Sequence, residues 1–203
     1  MTARKNFAVV IPAAGFGSRM GAFKPLLPVG RATAVERVIH AHRSAGVETI
    51  IVVGGHRAEE LRAAVDPLGV VFVHNPEYER GMFTSIQAGL AALPDAGAGC
   101  FIHPVDIPLV LPETLSLLMR VFGESAVEVA FPCFKGKRGH PPLLAAGLIP
   151  AVLGYPGGDG LRGLFTVLNP KAVRVECDDD GILMDMDDPA DYRKILDRAA
   201  GEE

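Results

Sequence analysis

Residues 13 to 24, Ala-Ala-Gly-Phe-Gly-Ser-Arg-Met-Gly-Ala-Phe-Lys, gather Gly15, Gly17 and Gly21 with the cations Arg19 and Lys24. Glycine carries no Cβ, so its backbone N–H groups can close on an anion. Such amide nests bind phosphate oxygens, and fixed cations add charge. The stretch reads as a phosphate-binding loop, but two common kinds fail on the letters. The pattern G-x-x-x-x-G-K-[ST] needs a hydroxyl after its lysine, and Lys24 is followed by Pro25. The dinucleotide loop needs G-x-G-x-x-G and an acid about 20 residues on. Here Gly15-x-Gly17-x-x-x-Gly21 is one residue longer, and the next apolar run ends in Gly54-Gly55.

Asp106 stands in Pro104-Val105-Asp106-Ile107-Pro108, directly after an apolar run. An acid just past a parallel strand lies on the edge where α/β sheets bind ligands. The next helix begins near Pro112, too far on for Asp106 to cap it, so Asp106 reads as a magnesium ligand. Arg138-Gly139-His140, preceded by Lys135 and Lys137, reads as a solvated loop or as one that faces an anion. Gly81, Thr84 and Ser85 open a predicted helix, where capping by Thr84 or Ser85 is the plainer reading of those letters. Arg162 is a surface helix residue or a second anion contact. The acids from Glu176 to Asp187 approach the spacing of a calcium loop. A strand precedes them and the end acids are of the wrong type, so that reading fails.

Several elements must position these groups. The β-branched run Phe7 to Ile11 predicts a buried strand, with further strands at Thr49–Val53, Val70–Val73, Cys100–His103, Val127–Pro132 and Val173–Glu176. Thr33 and Glu36 form a capping box for a helix whose Val35, Val38, Ile39 and His42 share one face. His40 and His42 point different ways on it, so they are poor joint metal ligands and read as surface or partly buried. Further helices are predicted at Arg57–Val65, around Phe83, Ile86 and Leu90, from Pro112 to Phe122, from Asp159, and after Asp188-Pro189. Strands alternating with helices imply a mostly parallel sheet with helices on both faces.

Composition limits the alternatives. The 203 residues are read as a single domain, 1–203, with 49% apolar and 22% charged residues. A net charge of −4 argues against a general nucleic-acid surface. Cys100, Cys133 and Cys177 form no CxxC pair, which suits a reduced cytoplasmic setting. Arg4 and Lys5 precede an apolar run, but Pro12 breaks it too early for a signal segment. The longest uncharged stretch, Pro141 to Gly158, holds four prolines and four glycines and reads as no membrane span.

The letters also resemble a family. Ala13, Ala14, Gly15, Gly17, Arg19, Met20, Gly21 and Lys24 match the signature of the nucleotidyltransferases that activate phosphorylated substrates with NTPs, the MobA-like NTP transferases; Pro12 departs from it. The order of motifs is most similar to the molybdenum cofactor cytidylyltransferase-like branch. The resemblance implies a Rossmann-like three-layer α/β fold and a nucleotide site at Ala13, Ala14, Gly15, Gly17 and Ser18. The string N-P-x-Y-x-x-G-M-x-T-S-I would add Gly81 and Ser85 beside the nucleobase. Arg19, Lys24 and Asp106 would be catalytic, and Arg138, Gly139 and His140 would border the acceptor. Asp185-x-Asp187-x-Pro189-x-Asp191 would supply the second magnesium ligand beside Asp106, with Asp185 preferred over Asp187.

The reaction so implied joins NMP to a phosphorylated acceptor and releases pyrophosphate, with Mg2+ as cofactor. Ala13-Ala14 in place of two glycines puts a methyl group beside the base, which narrows the pocket and favours CTP. The implied acceptor is molybdopterin, and the implied protein partner is a molybdoenzyme or cofactor-maturation factor. Neither nucleic acid nor membrane is an expected partner. Two rivals stand beside this reading. Lys24-Pro25-Leu26-Leu27-Pro28-Val29 also resembles the sugar-phosphate nucleotidyltransferases, which would use GTP or UTP. A nucleotide-binding module without turnover is the other.

Overall fold

The structure is a computed structural model, and it describes residues 6–15 and 20–201. Its first strand, β1 (Phe7–Pro12), is buried at every residue. Parallel neighbours flank it, β4 (Thr49–Gly54) on one side and β6 (Gly99–Ile102) on the other. Phe7, Val9 and Ile11 pack with Val35, Val38 and Ile39 of α1 (Ala34–Ser44), Leu61 of α2 (Ala58–Val65), and Leu115 and Leu118 of α4 (Pro112–Glu124). Ala8 and Val10 pack the other way, with Phe83, Ile86 and Leu90 of α3 (Met82–Ala91), Val152 of α5 (Ile149–Gly154) and Leu164 of α6 (Gly160–Leu168). A strand buried on both faces reads as a continuous apolar run with no alternation, and that is the pattern of residues 7 to 11. The strand runs one residue further than expected and includes Pro12. Its missing N–H does no harm at the strand's end, where its carbonyl still accepts from the Val105 N–H at 3.2 Å.

β5 (Val71–His74), β7 (Val129–Phe134), β8 (Lys137–Arg138), β9 (Leu143–Ala145) and β10 (Ala172–Glu176) complete an eight-stranded sheet of order β10-β7-β9-β6-β1-β4-β5, with β8 on β7. It is mostly parallel, with helices on both faces, as the sequence implies. The exceptions are β9, which runs antiparallel between β6 and β7, and the two-residue β8, which is antiparallel to β7. β9 lies in the proline-rich stretch 141–158, in which the sequence reading places no strand, and it is only three residues long. Chain order reverses around β1: β4 and β5 build outward on one side, β6 on the other. Ligands bind at such a switch point, outside the carboxyl ends of the strands.

Thr33 caps α1 as its letters predict. Its hydroxyl accepts from the Glu36 N–H at 3.4 Å, and the Glu36 carboxylate accepts from the Thr33 N–H at 2.7 Å. Asp188 caps α7 (Pro189–Ala200) by accepting from the N–H groups of Ala190 and Asp191. One local feature goes unread in the sequence, and one expectation fails. The segment after the loop forms a small hairpin, β2 (Pro28–Val29) with β3 (Ala32–Thr33), turning at Gly30 with φ of 64°. His42 is fully buried against Phe101 and His103, because its helical spacing places it on the apolar face of α1. Among the described residues, no helix is long and apolar enough to cross a membrane.

Candidate active site

Two clefts open on the carboxyl edge of the sheet and meet at Asp106 and Met82. The first, of about 340 Å³, lies over the loop after β1 and the start of α3. Ala13, Ala14, Gly15, Gly81 and Ser85 all line it. Hydrogen bonds to the β4 end hold the start of the loop: the Ala13 N–H donates to the Val53 carbonyl at 2.8 Å, and the Ala14 carbonyl accepts from the His56 N–H at 3.1 Å. Residues 16–19 fall outside the described residues, and with them the expectations for Gly17, Ser18 and Arg19. Gly89 lets α3 lie close on the sheet, since a Cβ there would stand 2.4 Å from Val10 Cγ1. That contact brings Gly81 and Ser85 to the edge. Gly81 has φ of 109°, which disfavours any residue with a Cβ.

Two contributors to this cleft escape a reading of the sequence. Asn75 is buried, and its amide donates to the hydroxyls of Thr84 (2.9 Å) and Ser85 (3.0 Å) while its Oδ1 accepts from the Glu77 N–H. It therefore fixes where Ser85 sits. Gly55 makes room for the Tyr78 ring on the cleft wall: a Cβ at 55 would lie 2.5 Å from Tyr78 Cγ. The pair Gly54-Gly55 thus has a steric purpose where a dinucleotide site would carry its acid.

The second cleft, of about 410 Å³, is lined by Arg138, Gly139, His140, Asp185 and Asp187 together with Asp106. Three segments are stitched together to form it. The Met186 N–H donates to the Asp106 carbonyl at 2.8 Å, and the His140 N–H donates to the Ile182 carbonyl at 3.0 Å. Met186 is buried against Val29, Leu109 and Ile195. Side chains alternate along an extended segment, so Asp185 and Asp187 turn to the opposite side, into the cleft. Asp179 fixes the far end. Its carboxylate accepts from the Leu111 N–H (2.9 Å), the Thr114 hydroxyl (2.7 Å) and the Gly181 N–H (3.0 Å). Leu111 is the N-cap of α4, so this helix is capped by a side chain 68 residues further along the chain. Removing the carboxylate strands two buried donors, and Asp179→Ala is expected to cost about 2–3 kcal/mol in urea unfolding.

Lys24 stands where the clefts join. Its ammonium is 3.3 Å from Asp106 Oδ2 and 3.1 Å from Asp187 Oδ1. Burial pushes the Asp106 carboxyl upward from the ordinary carboxylate range, the neighbouring Asp187 adds to this, and Lys24 opposes it. The sequence reading preferred Asp185 as the partner of Asp106, whereas the cation beside Asp106 is shared with Asp187. Asp185 acts on His140, whose pKa burial and Arg138 push down while Asp106 and Asp185 hold it up. His140 is therefore neutral near pH 7. Of the cations expected around it, only Arg138 lines the cleft, with its guanidinium 4.5 Å from the Phe131 ring centre. Lys135 and Lys137 sit at the tip of the β7–β8 hairpin, and Lys135 covers Phe134. Arg162 lines a separate cleft with Tyr155 and Thr166.

The arrangement offers a cleft over the loop after β1, a carboxylate pair sharing one cation, and an adjoining cleft that carries Arg138, His140 and Asp185. Known proteins resemble the chain throughout. Residues 9–175 match the family described as the MobA-like NTP transferase domain. The molybdenum cofactor cytidylyltransferase of Escherichia coli is 27% identical, covering 90% of this chain and 92% of that protein. A phosphoenolpyruvate guanylyltransferase of Rubrobacter xylanophilus is 30% identical, covering 89% and 87%. The solved structure of a nucleotidyl transferase from Methanothermobacter superposes with a TM-score of 0.84 at 27% identity, covering 98% of this chain and 100% of that one.

Proposed function

The chain belongs to the MobA-like NTP transferase family, and on that premise we propose that it transfers CMP from CTP to a phosphorylated acceptor, molybdopterin, and releases pyrophosphate. The observation that carries this reading is the junction of the two clefts at Asp106, where Lys24 bridges Asp106 and Asp187. A nucleotide in the first cleft and an acceptor in the second would meet at that junction. The acceptor's phosphate oxygen attacks the α-phosphorus. One P–O bond forms as the bond to the β-phosphate breaks, and the electron pair leaves with pyrophosphate. The nucleophile is already an anion, so no base has to take a proton. Catalysis then consists of positioning and charge neutralisation.

The amides around Gly15 would hold the triphosphate, Ala13 and Ala14 would flank the base, and Gly81 and Ser85 would complete its pocket. Neutral His140, with Arg138, would orient the acceptor. Lys24, and Arg19 in the loop, would stabilise charge on the leaving group. Asp106 and Asp187 fit magnesium, because their hard oxygens already share one cation. No set of three His, Cys, Asp or Glu side chains among the described residues could hold a metal. Magnesium takes one or two carboxylates and completes its shell with phosphate and water. Magnesium bound there would neutralise phosphate charge. Asp185 would face the acceptor beside His140.

The similarity to a guanylyltransferase supports GMP transfer as a second reading. Thermal unfolding with Mg2+ and each of CTP, GTP, UTP and ATP separates the two. Ligand at ~100 times its Kd adds about 2.7 kcal/mol, or roughly 5–10 °C for a chain of this size. The expected result is a shift with CTP alone, followed by pyrophosphate release on adding molybdopterin. A shift with GTP alone would move the reading to the guanylyl branch, and no shift with any nucleotide would overturn it.

A further inference from the structure

The turn that carries Asp106 is held from behind by two buried histidines that no part of the proposed chemistry uses. His103, at the end of β6, is 1% exposed, and its Nε2 lies 2.9 Å from the Ile107 carbonyl oxygen. Its Nδ1 lies 2.9 Å from Nε2 of His42, which is 0% exposed on α1. Simple valence rules set the proton positions. A carbonyl can only accept, so His103 Nε2 carries a proton and donates it to Ile107. Nδ1 of His103 is then an acceptor, and His42 donates to it from Nε2. That leaves a lone pair on His42 Nδ1, which has no partner among the described residues. Burial pushes the pKa of both rings down, to about 4 for His103, so the pair is neutral near pH 7.

This pair grips one side of a turn whose other bonds are also fixed. The Ile107 N–H donates to the Pro104 carbonyl at 3.2 Å, the Val105 N–H to the Pro12 carbonyl at 3.2 Å, and the Asp106 carbonyl accepts from Met186. His103 adds the tie to the Ile107–Pro108 peptide, one peptide beyond the Asp106–Ile107 link, and His42 roots that tie in the middle of the core. A buried unsatisfied nitrogen is a cost that packing alone would remove with a phenylalanine at position 42.

We propose that His103, braced by His42, is a positioning residue that sets the Asp106 carboxylate at the junction of the two clefts. The inference rests on reading Asp106 as a metal-binding carboxylate. Two amide substitutions separate positioning from plain packing. In His103→Asn the side-chain amide reaches only the Nδ1 position and can keep the bond to His42. In His103→Gln it reaches the Nε2 position and can keep the bond to Ile107. Each loses one hydrogen bond, so their melting temperatures should fall alike. The probe is Mn2+ alone, titrated by electron paramagnetic resonance into the full-length chain, with Asp106→Asn as reference.

Groups that hold metal-binding side chains in place are worth about 10–100-fold in affinity. His103→Asn is therefore expected to weaken Mn2+ binding about tenfold, and His103→Gln to stay within about twofold of the parent. Equal effects of the two variants on Mn2+, or no effect of either while Asp106→Asn abolishes binding, would overturn the positioning role alone. Undiminished Mn2+ binding by Asp106→Asn would overturn the reading of Asp106 and the inference with it.

Discussion

Asp106→Asn is expected to lower kcat for pyrophosphate release by about 10²–10³, the effect of removing one electrostatic contact from a preorganised site, without lowering the melting temperature. The two halves of this result have one cause. Burial pushes the Asp106 pKa up, and Lys24, 3.3 Å away, offsets part of the cost of its charge. An amide of the same shape removes the desolvation cost and leaves Lys24 with Asp187 at 3.1 Å. Function-bearing sites commonly hold such unfavourable groups, and neutralising them trades activity for stability. Steady-state kinetics with saturating Mg2+ and calorimetry on the same preparation check both halves. A variant that keeps more than about a tenth of the parent kcat would remove Asp106 from the chemistry.

Gly181→Ala is expected to be the most damaging single methyl in the site. A Cβ at 181 would stand 2.3 Å from the Leu109 carbonyl oxygen, 2.8 Å from its carbon and 2.9 Å from Asp179 Oδ1. Backbone on one side and the carboxylate that caps α4 on the other leave no flexible group to give way. Forcing such a contact costs about 1–3 kcal/mol, roughly 2–12 °C in melting temperature at this length. Relief by moving the 179–187 segment would carry Asp185 and Asp187 away from Asp106, so activity should fall further than the stability loss accounts for. Gly147→Ala is the control. Nothing lies within 4 Å of its Cβ position, and its effect should stay within about 0.5 kcal/mol. Equal melting temperatures for the two variants would falsify the account of this segment as a tight stitch.

Much of the molecule is legible before folding because its signals are local. The apolar run of β1, the capping box of Thr33 and Glu36 and the Asp188-Pro189 start of α7 each depend on residues within one turn or one strand. The glycine and cation spacing after β1, and an acid just past β6, likewise point to the edge of the sheet on which the two clefts open. Even the burial of His42 was signalled locally, by its place on the apolar face of α1, although a histidine is readily read as a surface residue.

What the sequence left open depends on contacts between distant segments. Lys24 meets Asp187 across 163 residues, and His42 meets His103 across 61. No local pattern encodes either pairing. Asp187 reaches the cation shared with Asp106 because Met186 is bonded to the Asp106 backbone and buried behind it, a fact of packing and not of motif spacing. The same holds for the basic segment. Three cations in four positions look alike as letters, but the hairpin register pairs Arg138 with Cys133 and Lys137 with Phe134, and successive side chains leave on opposite faces. The sequence by itself determined the kind of sheet, the edge that carries the candidate site and the residue types available there. Tertiary structure alone decided which carboxylate, which cation and which histidines stand together, because those choices are made where segments cross and the periodicity of any one segment is silent about its neighbours.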